Sequence, residues 1–296
     1  MDFRAELASF LKSRRARLRP EDLGVRPFSG RRRVPGLRRE ELAELAGVSM
    51  DYYTRLEQGR AQNVSDAVLD AVSRGLRLDD AERAHFGNLV RALHHGSADR
   101  DGTPRPESVR DGVRILLDSL GDVPAYVIGP RLDVLAANPL ARALFGDFDA
   151  LPAARRNVAW QVFLAPGARE LYPDWEEVAR DTVVALRLDL GRYPCDDRLC
   201  TLLGELSVRS EDFRRLWAEH GVREIAQGTW RLAHPEAGAL LLHRETLHLA
   251  GSPDQSLVTF AAQPGSESAA ALVLLSIALT RSSSSAGRAI HSRSGA

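Results

Sequence analysis

Arginine side chains are concentrated near the start of the chain, where they could bind phosphate groups. Eleven basic residues lie between Lys12 and Arg39, against only Glu21 and Asp22. Salt screens each charge beyond about 10 Å, so this local excess matters more for phosphate contact than the zero net charge of the chain. The same residues would suit a solvated surface, and the neighbouring motif decides between the two. The candidate phosphate ligands are Arg31, Arg32, Arg33, Arg38, Arg39 and Arg60.

A second group of side chains, just after these arginines, has the spacing of a helix that reads base edges. The first residues of such a helix are those that meet DNA bases. Arg55 is suited to a bidentate contact with guanine, whereas Asp51 could accept from cytosine or orient Arg55 one helical turn away. The predicted readers are Ser49, Met50, Asp51, Tyr52, Thr54 and Arg55.

Two short helices joined by a tight turn must position these side chains. Residues 38–46 and 49–58 carry apolar residues at helical spacing, with Leu42, Tyr53 and Leu56 facing inward. Gly47 suits the left-handed conformation that ends a helix, and Ser49 can cap the next one. The pattern predicts a helix-turn-helix, although an ordinary helical hairpin has the same outline. The flanking arginines favour DNA binding.

The helix pair lies in a segment whose periodicity predicts helices alone. They span residues 3–17, 38–46, 49–58, 63–76 and 80–94, so residues 1–95 are expected to form an all-α domain. Polar residues, Pro and Gly at 96–107 indicate a linker. Residues 108–280 are expected to form a second domain, and residues 281–296 a disordered tail.

The second domain mixes short strands with helices. Strands are predicted at residues 125–128, 132–137, 223–233, 239–249 and 256–263, and successive hairpins imply an antiparallel sheet. Helices are predicted at 108–120, 139–145, 157–164, 174–189, 196–206, 210–220 and 266–280. This order indicates an α+β domain whose helices cover one face of the sheet.

Aromatic and basic residues of the second domain could bind an apolar ligand with an acidic group. All four tryptophans of the chain lie in this domain, and arginine can hold a carboxylate. Core packing is the more frequent role of aromatic residues at helical spacing, and that alternative stays open. The candidate ligand residues are Trp160, Phe163, Tyr172, Trp175, Arg180, Arg209, Trp217 and Trp230.

Other classes of function are disfavoured by the sequence. It lacks the short motifs of hydrolases, zinc proteases and nucleotide-binding loops, so no catalytic residue, metal or cofactor is predicted. Cys195 and Cys200 lack the spacing of a zinc site. No apolar run reaches the about 18 residues of a membrane span, and the N-terminal segment lacks the apolar core of a signal peptide. We expect a cytoplasmic protein that is not an enzyme.

Several strings of the sequence resemble one family of regulators. The helix-turn-helix of Cro and phage-repressor (XRE-type) proteins is similar to LAELAGVSMDYYTRLEQGR, and that of the MmyB-like branch to VPGLRREELAELAGVSMDYYTRLEQGR. The ligand-binding domain of this branch resembles VPAYVIGPRLDVLAANPLARALFGDF, ELYPDWEEVARDTVVALR, GELSVRSEDFRRLW and HPEAGALLLHRETL. The resemblance implies a lambda-repressor-like first domain and a PAS-like second domain that binds a small apolar ligand such as a fatty acid. The chain departs from the family at Ala137, where a tryptophan is frequent, and in the apolar string AALVLLSIALTR.

These observations lead to the hypothesis of a transcription regulator that responds to an effector. One helix reads only a few base pairs, so we expect a homodimer on a palindromic double-stranded operator. The alternative is a DNA-binding regulator whose second domain is a protein-interaction or dimerisation module without a ligand.

Overall fold

The computed structural model describes residues 3–23, 36–61, 64–94, 108–193, 196–219 and 227–291. The chain forms two compact units. The first contains Met1–Gly102, Leu186–Glu205 and Arg214–Glu224, and the second contains Thr103–Ala185, Leu206–Phe213 and Ile225–Ala296. The domain boundaries drawn from the sequence stay a prediction.

The N-terminal part of the first unit is helical, as predicted. Its helices are α1 (Phe3–Arg17), α2 (Arg39–Leu45), α3 (Met50–Glu57), α4 (Asp66–Gly75) and α5 (Asp80–His94). Their apolar faces meet in one core, in which Leu7, Phe10, Leu42, Tyr53 and Phe86 are buried. The sequence predicted both ends of α1, because its apolar spacing is regular and proline follows at once.

Polar side chains fix where these helices begin. Ser49 Oγ accepts the backbone N–H of Tyr52 at 3.1 Å at the start of α3. Before α5, the carboxylate of Asp79 accepts the Glu82 N–H at 2.8 Å, and Glu82 accepts the Asp79 N–H at 3.2 Å. Each cap satisfies donors that the first helical turn leaves open.

The second unit contains one five-stranded antiparallel sheet, which confirms the predicted fold class. Its spatial order is β2-β1-β5-β4-β3. The strands are β1 (Ala125–Ile128), β2 (Val134–Ala137), β3 (Gln227–His234), β4 (Gly238–His248) and β5 (Ser256–Ala262).

Eight further helices lie in the described part of the chain after residue 108. They are α6 (Asp111–Ser119), α7 (Pro139–Phe145), α8 (Val158–Leu164), α9 (Ala168–Leu171), α10 (Trp175–Arg192), α11 (Asp197–Arg209), α12 (Glu211–Ala218) and α13 (Glu267–His291). The sequence did not predict the one-turn helix α9. Helix α13 extends to His291, and the assignment of residues 281–296 to a disordered tail stays a prediction. None of the described helices has the length and apolar character to cross a membrane.

Helices cover both faces of the sheet, whereas the sequence suggested one. Val113 and Leu117 of α6 pack with Ala125, Val127 and Leu257 in a separate apolar cluster. Neighbouring side chains on a strand alternate between faces, so Tyr126 and Val258 point to the opposite side. That opposite face, which we call the inner face, carries the aromatic residues described below.

Candidate functional site

Helix α3 buries one side and exposes the other. Tyr53 and Leu56 are almost fully buried, and burial raises the pKa of the Tyr53 phenol. Met50, Asp51 and Arg55 are exposed on the other side. Three of the predicted readers therefore share an accessible face at the start of a helix that the core holds in place.

The other predicted readers are partly engaged by the helix itself. Ser49 caps α3 through its hydroxyl. Tyr52 is half-buried and packs against the core of the first unit. Thr54 Oγ1 donates to the Met50 carbonyl at 2.8 Å. Ser49 and Thr54 thus stabilise α3 itself.

Arg55 and Asp51 form an ion pair along the exposed face of α3. Arg55 Nε lies 3.3 Å from Asp51 Oδ2, and the side chains are 54% and 82% exposed. A pair this exposed contributes about 0.3–0.5 kcal/mol. Asp51 can therefore orient Arg55 without holding it back from a base.

Arg39, a predicted phosphate ligand, is held by a buried carboxylate. Its Nη2 and Nε atoms lie 2.8 and 3.0 Å from Glu57 Oε1, and Arg15 Nε lies 3.4 Å from Oε2 of the same group. The hydrogen bond to Glu57 raises the pKa of Arg39. A phosphate must compete with Glu57 for this guanidinium.

The remaining predicted phosphate ligands have different surroundings. Arg38 precedes α2, where its backbone N–H donates to Glu41 at 2.7 Å and its side chain lies 3.2 Å from Glu40. Arg60 follows α3 and is exposed. The three predicted ligands Arg31, Arg32 and Arg33 lie outside the described residues.

Aromatic rings line the inner face of the sheet in the second unit. Phe260 on β5 is their centre: its ring centroid lies 4.7 Å from that of Phe145, 5.5 Å from Tyr126 and 5.4 Å from Trp230. Tyr172 extends the cluster, with its ring 5.6 Å from Trp230. The predicted ligand residues Tyr172 and Trp230 are therefore brought together here.

Arg244 on β4 places a cation among these rings. It pairs in register with Phe260 on one side and with Gly228, which has no side chain, on the other. Its Cζ atom lies 5.4 Å from the Trp230 ring centroid. Burial raises the pKa of Tyr126 to about 12, and the charge of Arg244 acts in the opposite direction. Burial likewise raises the pKa of Tyr172, so both phenols stay protonated donors near neutral pH.

A cleft of about 380 Å³ brings together three other predicted ligand residues of the second unit, Phe163, Trp175 and Arg209. The Phe163 and Trp175 rings meet edge to face at 5.8 Å. Arg169 lies over Trp175 at 3.9 Å and forms an ion pair with Asp212 at 2.5 Å. Because the lining carries charges of both signs, this cleft is less suited to an apolar chain than the inner face.

The other predicted ligand residues lie in three different settings. Trp160 is buried, and its indole N–H has no acceptor among the described residues. Arg180 pairs with Glu176 at 3.0 Å on the surface of α10. Trp217 belongs to the first unit, where Arg187 Cζ lies 4.5 Å from its ring.

Sequence reasoning missed Tyr126 and Arg244. Both are placed by cross-strand register: Tyr126 pairs with Val258, more than a hundred positions away, and Arg244 pairs with Gly228 and Phe260 on the two neighbouring strands. One signal was available, because Leu240, Leu242 and Arg244 alternate along a single strand and the arginine interrupts an apolar face.

Two histidines of the sheet, His234 and His248, have structural partners. His234 Nδ1 accepts the backbone N–H groups of Glu236 and Ala237 at 3.2 and 3.0 Å. His248 Nδ1 lies 3.0 Å from Ser256 Oγ. In the described ranges, no group of three or more His, Cys, Asp or Glu side chains could hold a metal ion.

Comparison with protein-family models gives two matches. Residues 109–275, more than half of the chain, match the MmyB-like transcription regulator ligand binding domain. Residues 6–86 match a helix-turn-helix domain. Both models describe parts of transcription regulators, not enzymes. No curated protein matches the sequence significantly.

Proposed function

The chain belongs to the family of MmyB-like transcription regulators, and from that membership we propose how this DNA-binding regulator reads DNA and senses an effector. Helix α3 reads bases in the major groove, and two copies bind an inverted repeat. The effector is a small apolar acid, such as a fatty acid, on the inner face of a PAS-like second domain.

The exposed start of α3 supports the first part of the proposal. A recognition helix meets base edges with its first residues, and Met50, Asp51 and Arg55 are exposed there. Arg55 suits guanine, and Met50 suits the methyl group of thymine. Arg31, Arg32, Arg33, Arg38, Arg39 and Arg60 are proposed to hold the phosphates.

The observation that carries the effector proposal is the position of Arg244. A half-buried guanidinium beside the Trp230 ring and near the Tyr126 phenol combines one cation, a hydroxyl donor and apolar walls. An apolar acid has the complementary parts, because its carboxylate takes charge-assisted hydrogen bonds while its chain covers the rings.

Helix α10 offers a covalent path from effector to DNA. Its residues 175–185 belong to the second unit and its residues 186–192 to the first. An effector acts on DNA binding only if it binds two states of the protein unequally. We propose that the end of α10 differs between those states.

Titration of the full chain with saturated fatty acids of increasing length tests the effector class. We expect thermal stabilisation, which corresponds to about 2.7 kcal/mol at a free ligand concentration of 100 times Kd. Arg244→Gln should weaken binding by roughly ten- to a hundredfold, because a hydrogen bond to a charged group is lost.

Arg231→Gln is the matched control. Arg231 is exposed on the neighbouring strand β3 and pairs with Asp174 at 2.5 Å, so this variant should keep the wild-type affinity. If no apolar acid stabilises the protein, the second domain is an interaction module instead. If ligands bind equally to wild type and Arg244→Gln, the inner face is the wrong site.

A further inference from the structure

Helix α13 is apolar on two sides, only one of which is covered by its own unit. Leu272 and Leu275 are buried, whereas Val273, Leu274 and Ile277 are 40%, 68% and 44% exposed. The exposed residues continue one stripe at helical spacing, which is completed by Ala270 and Ala278. A continuous apolar stripe of this kind marks an interaction surface.

Charges stand only at the two ends of this stripe. Glu267 begins it and Arg281 ends it, both exposed, and no charged residue occurs from 268 to 280. The two residues are separated by about 21 Å along a helix that rises 1.5 Å per residue. Leu274, the most exposed of the three large apolar side chains, lies midway between them.

We propose that this face of α13 binds the same face of a second copy, with the two helices antiparallel. A twofold axis beside Leu274 then places Glu267 of each chain near Arg281 of the other, and the apolar residues meet between them. A parallel pair would set glutamate against glutamate and arginine against arginine. The charge pattern therefore selects both the partner and the direction.

This proposal identifies where the two chains of the proposed homodimer meet. It does not depend on the effector site or on the DNA-reading residues. A single pair of helix faces this short buries less than the about 800 Å² per partner of a standard interface. We therefore expect a dimer whose subunits exchange, with charged groups at the rim and apolar residues at the centre.

The test is sedimentation equilibrium of the full chain and of charge-reversed variants. Glu267→Arg and Arg281→Glu each replace two attractive contacts by two repulsive ones, so each variant alone should dimerise roughly tenfold more weakly than wild type. An equimolar mixture of the two variants should recover the wild-type dimer, because each glutamate again faces an arginine. The double variant should also recover it.

Two further variants separate the surface from general stability. Leu274→Glu places like charges at the axis and should weaken dimerisation by at least about a hundredfold. Val208→Glu changes an apolar residue that is 80% exposed on α11 and lies outside the α13 stripe, and it should leave the dimer unchanged. Circular dichroism verifies that each variant is folded.

Three outcomes overturn the proposal. The first is a wild-type chain that is still monomeric at a concentration of about 100 μM. The second is a dimer that Leu274→Glu leaves intact. The third is a mixture of the two charge-reversed variants that fails to recover the wild-type dimerisation. None of these depends on fatty-acid affinity or on base preference, so failure of the dimer surface is distinguishable from failure of the effector or reading proposals.

Discussion

Ion pairs of the first unit differ in what they can contribute, because their partners differ in burial. Asp51 is exposed, so it orients Arg55 weakly and a base can displace it. Glu57 is only 3% exposed and receives Arg15 and Arg39. Removal of either arginine leaves a buried carboxylate less well paired, so Arg39 stabilises the helix pair in addition to any phosphate contact.

Tyr126 makes stability depend on pH in the alkaline range. Burial raises its pKa from 10.0 to about 12, so the folded protein holds this proton more tightly than the unfolded chain. The contribution of the protonated Tyr126 phenol to the free energy of unfolding is complete below pH 10 and is lost as pH rises toward 12. Tyr126→Phe should reduce the loss between pH 8 and pH 11 by about 1 kcal/mol.

Urea denaturation of wild type and Tyr126→Phe at both pH values measures this difference. Each protein is compared with itself at the two pH values. The packing lost in Tyr126→Phe lowers its free energy of unfolding equally at pH 8 and pH 11, so it cancels from the difference. Other buried tyrosines keep their own contributions, so the variant is not expected to become independent of pH. Equal losses in the two proteins would contradict the burial argument.

Helices were easier to predict than the faces of the sheet. The boundaries of α1 and α3 follow from signals within a few residues: apolar spacing, the Ser49 cap and the left-handed Gly47, which has φ +63°. The position of Arg244 depends instead on the register of β4 against β3 and β5. A slip of one residue in that register would turn Arg244 to the other face of the sheet.

Two glycines beside the helix pair differ in why they are required. At Gly36, a Cβ atom would lie 2.5 Å from backbone atoms of Arg15 and Ala16, whereas at Gly47 it would meet nothing within 4 Å. Gly36→Ala should therefore cost about 1–3 kcal/mol through overpacking. Gly47→Ala should cost about 1 kcal/mol through its backbone conformation alone.

Thermal and urea denaturation of the full chain compare the two substitutions. We expect the larger loss of stability at Gly36, although its backbone is not left-handed, because Gly36 lies directly against the backbone of α1. A Gly36→Ala variant as stable as Gly47→Ala would show that α1 can move away from this segment without cost.

At the scale of the whole molecule, the compact units do not follow the order of the chain. Residues 186–205 and 214–224 belong to the first unit although they come from the segment that matches the ligand-binding family. Arg187 illustrates this, since it is fully buried and its Nη1 lies 3.2 Å from Glu6 on α1. The sequence predicted the helices around Arg187, but such a long-range ion pair leaves no local pattern.

We propose that α3 reads DNA while two copies of the chain bind together. Selection of binding sites by the full chain from a pool of random DNA duplexes tests this proposal most directly, with wild type and Arg55→Ala run in parallel. Arg60→Ala, which changes an exposed arginine just after α3, is the matched control for loss of positive charge.

Wild type should enrich an inverted repeat. Arg55→Ala should relax the preference at one base pair in each half-site, at a cost of about 1–3 kcal/mol in discrimination. Arg60→Ala should weaken binding to all sequences alike and keep the motif. Failure of wild type to enrich any motif, or an identical motif in wild type and Arg55→Ala, would contradict the assignment of α3 as the reading helix.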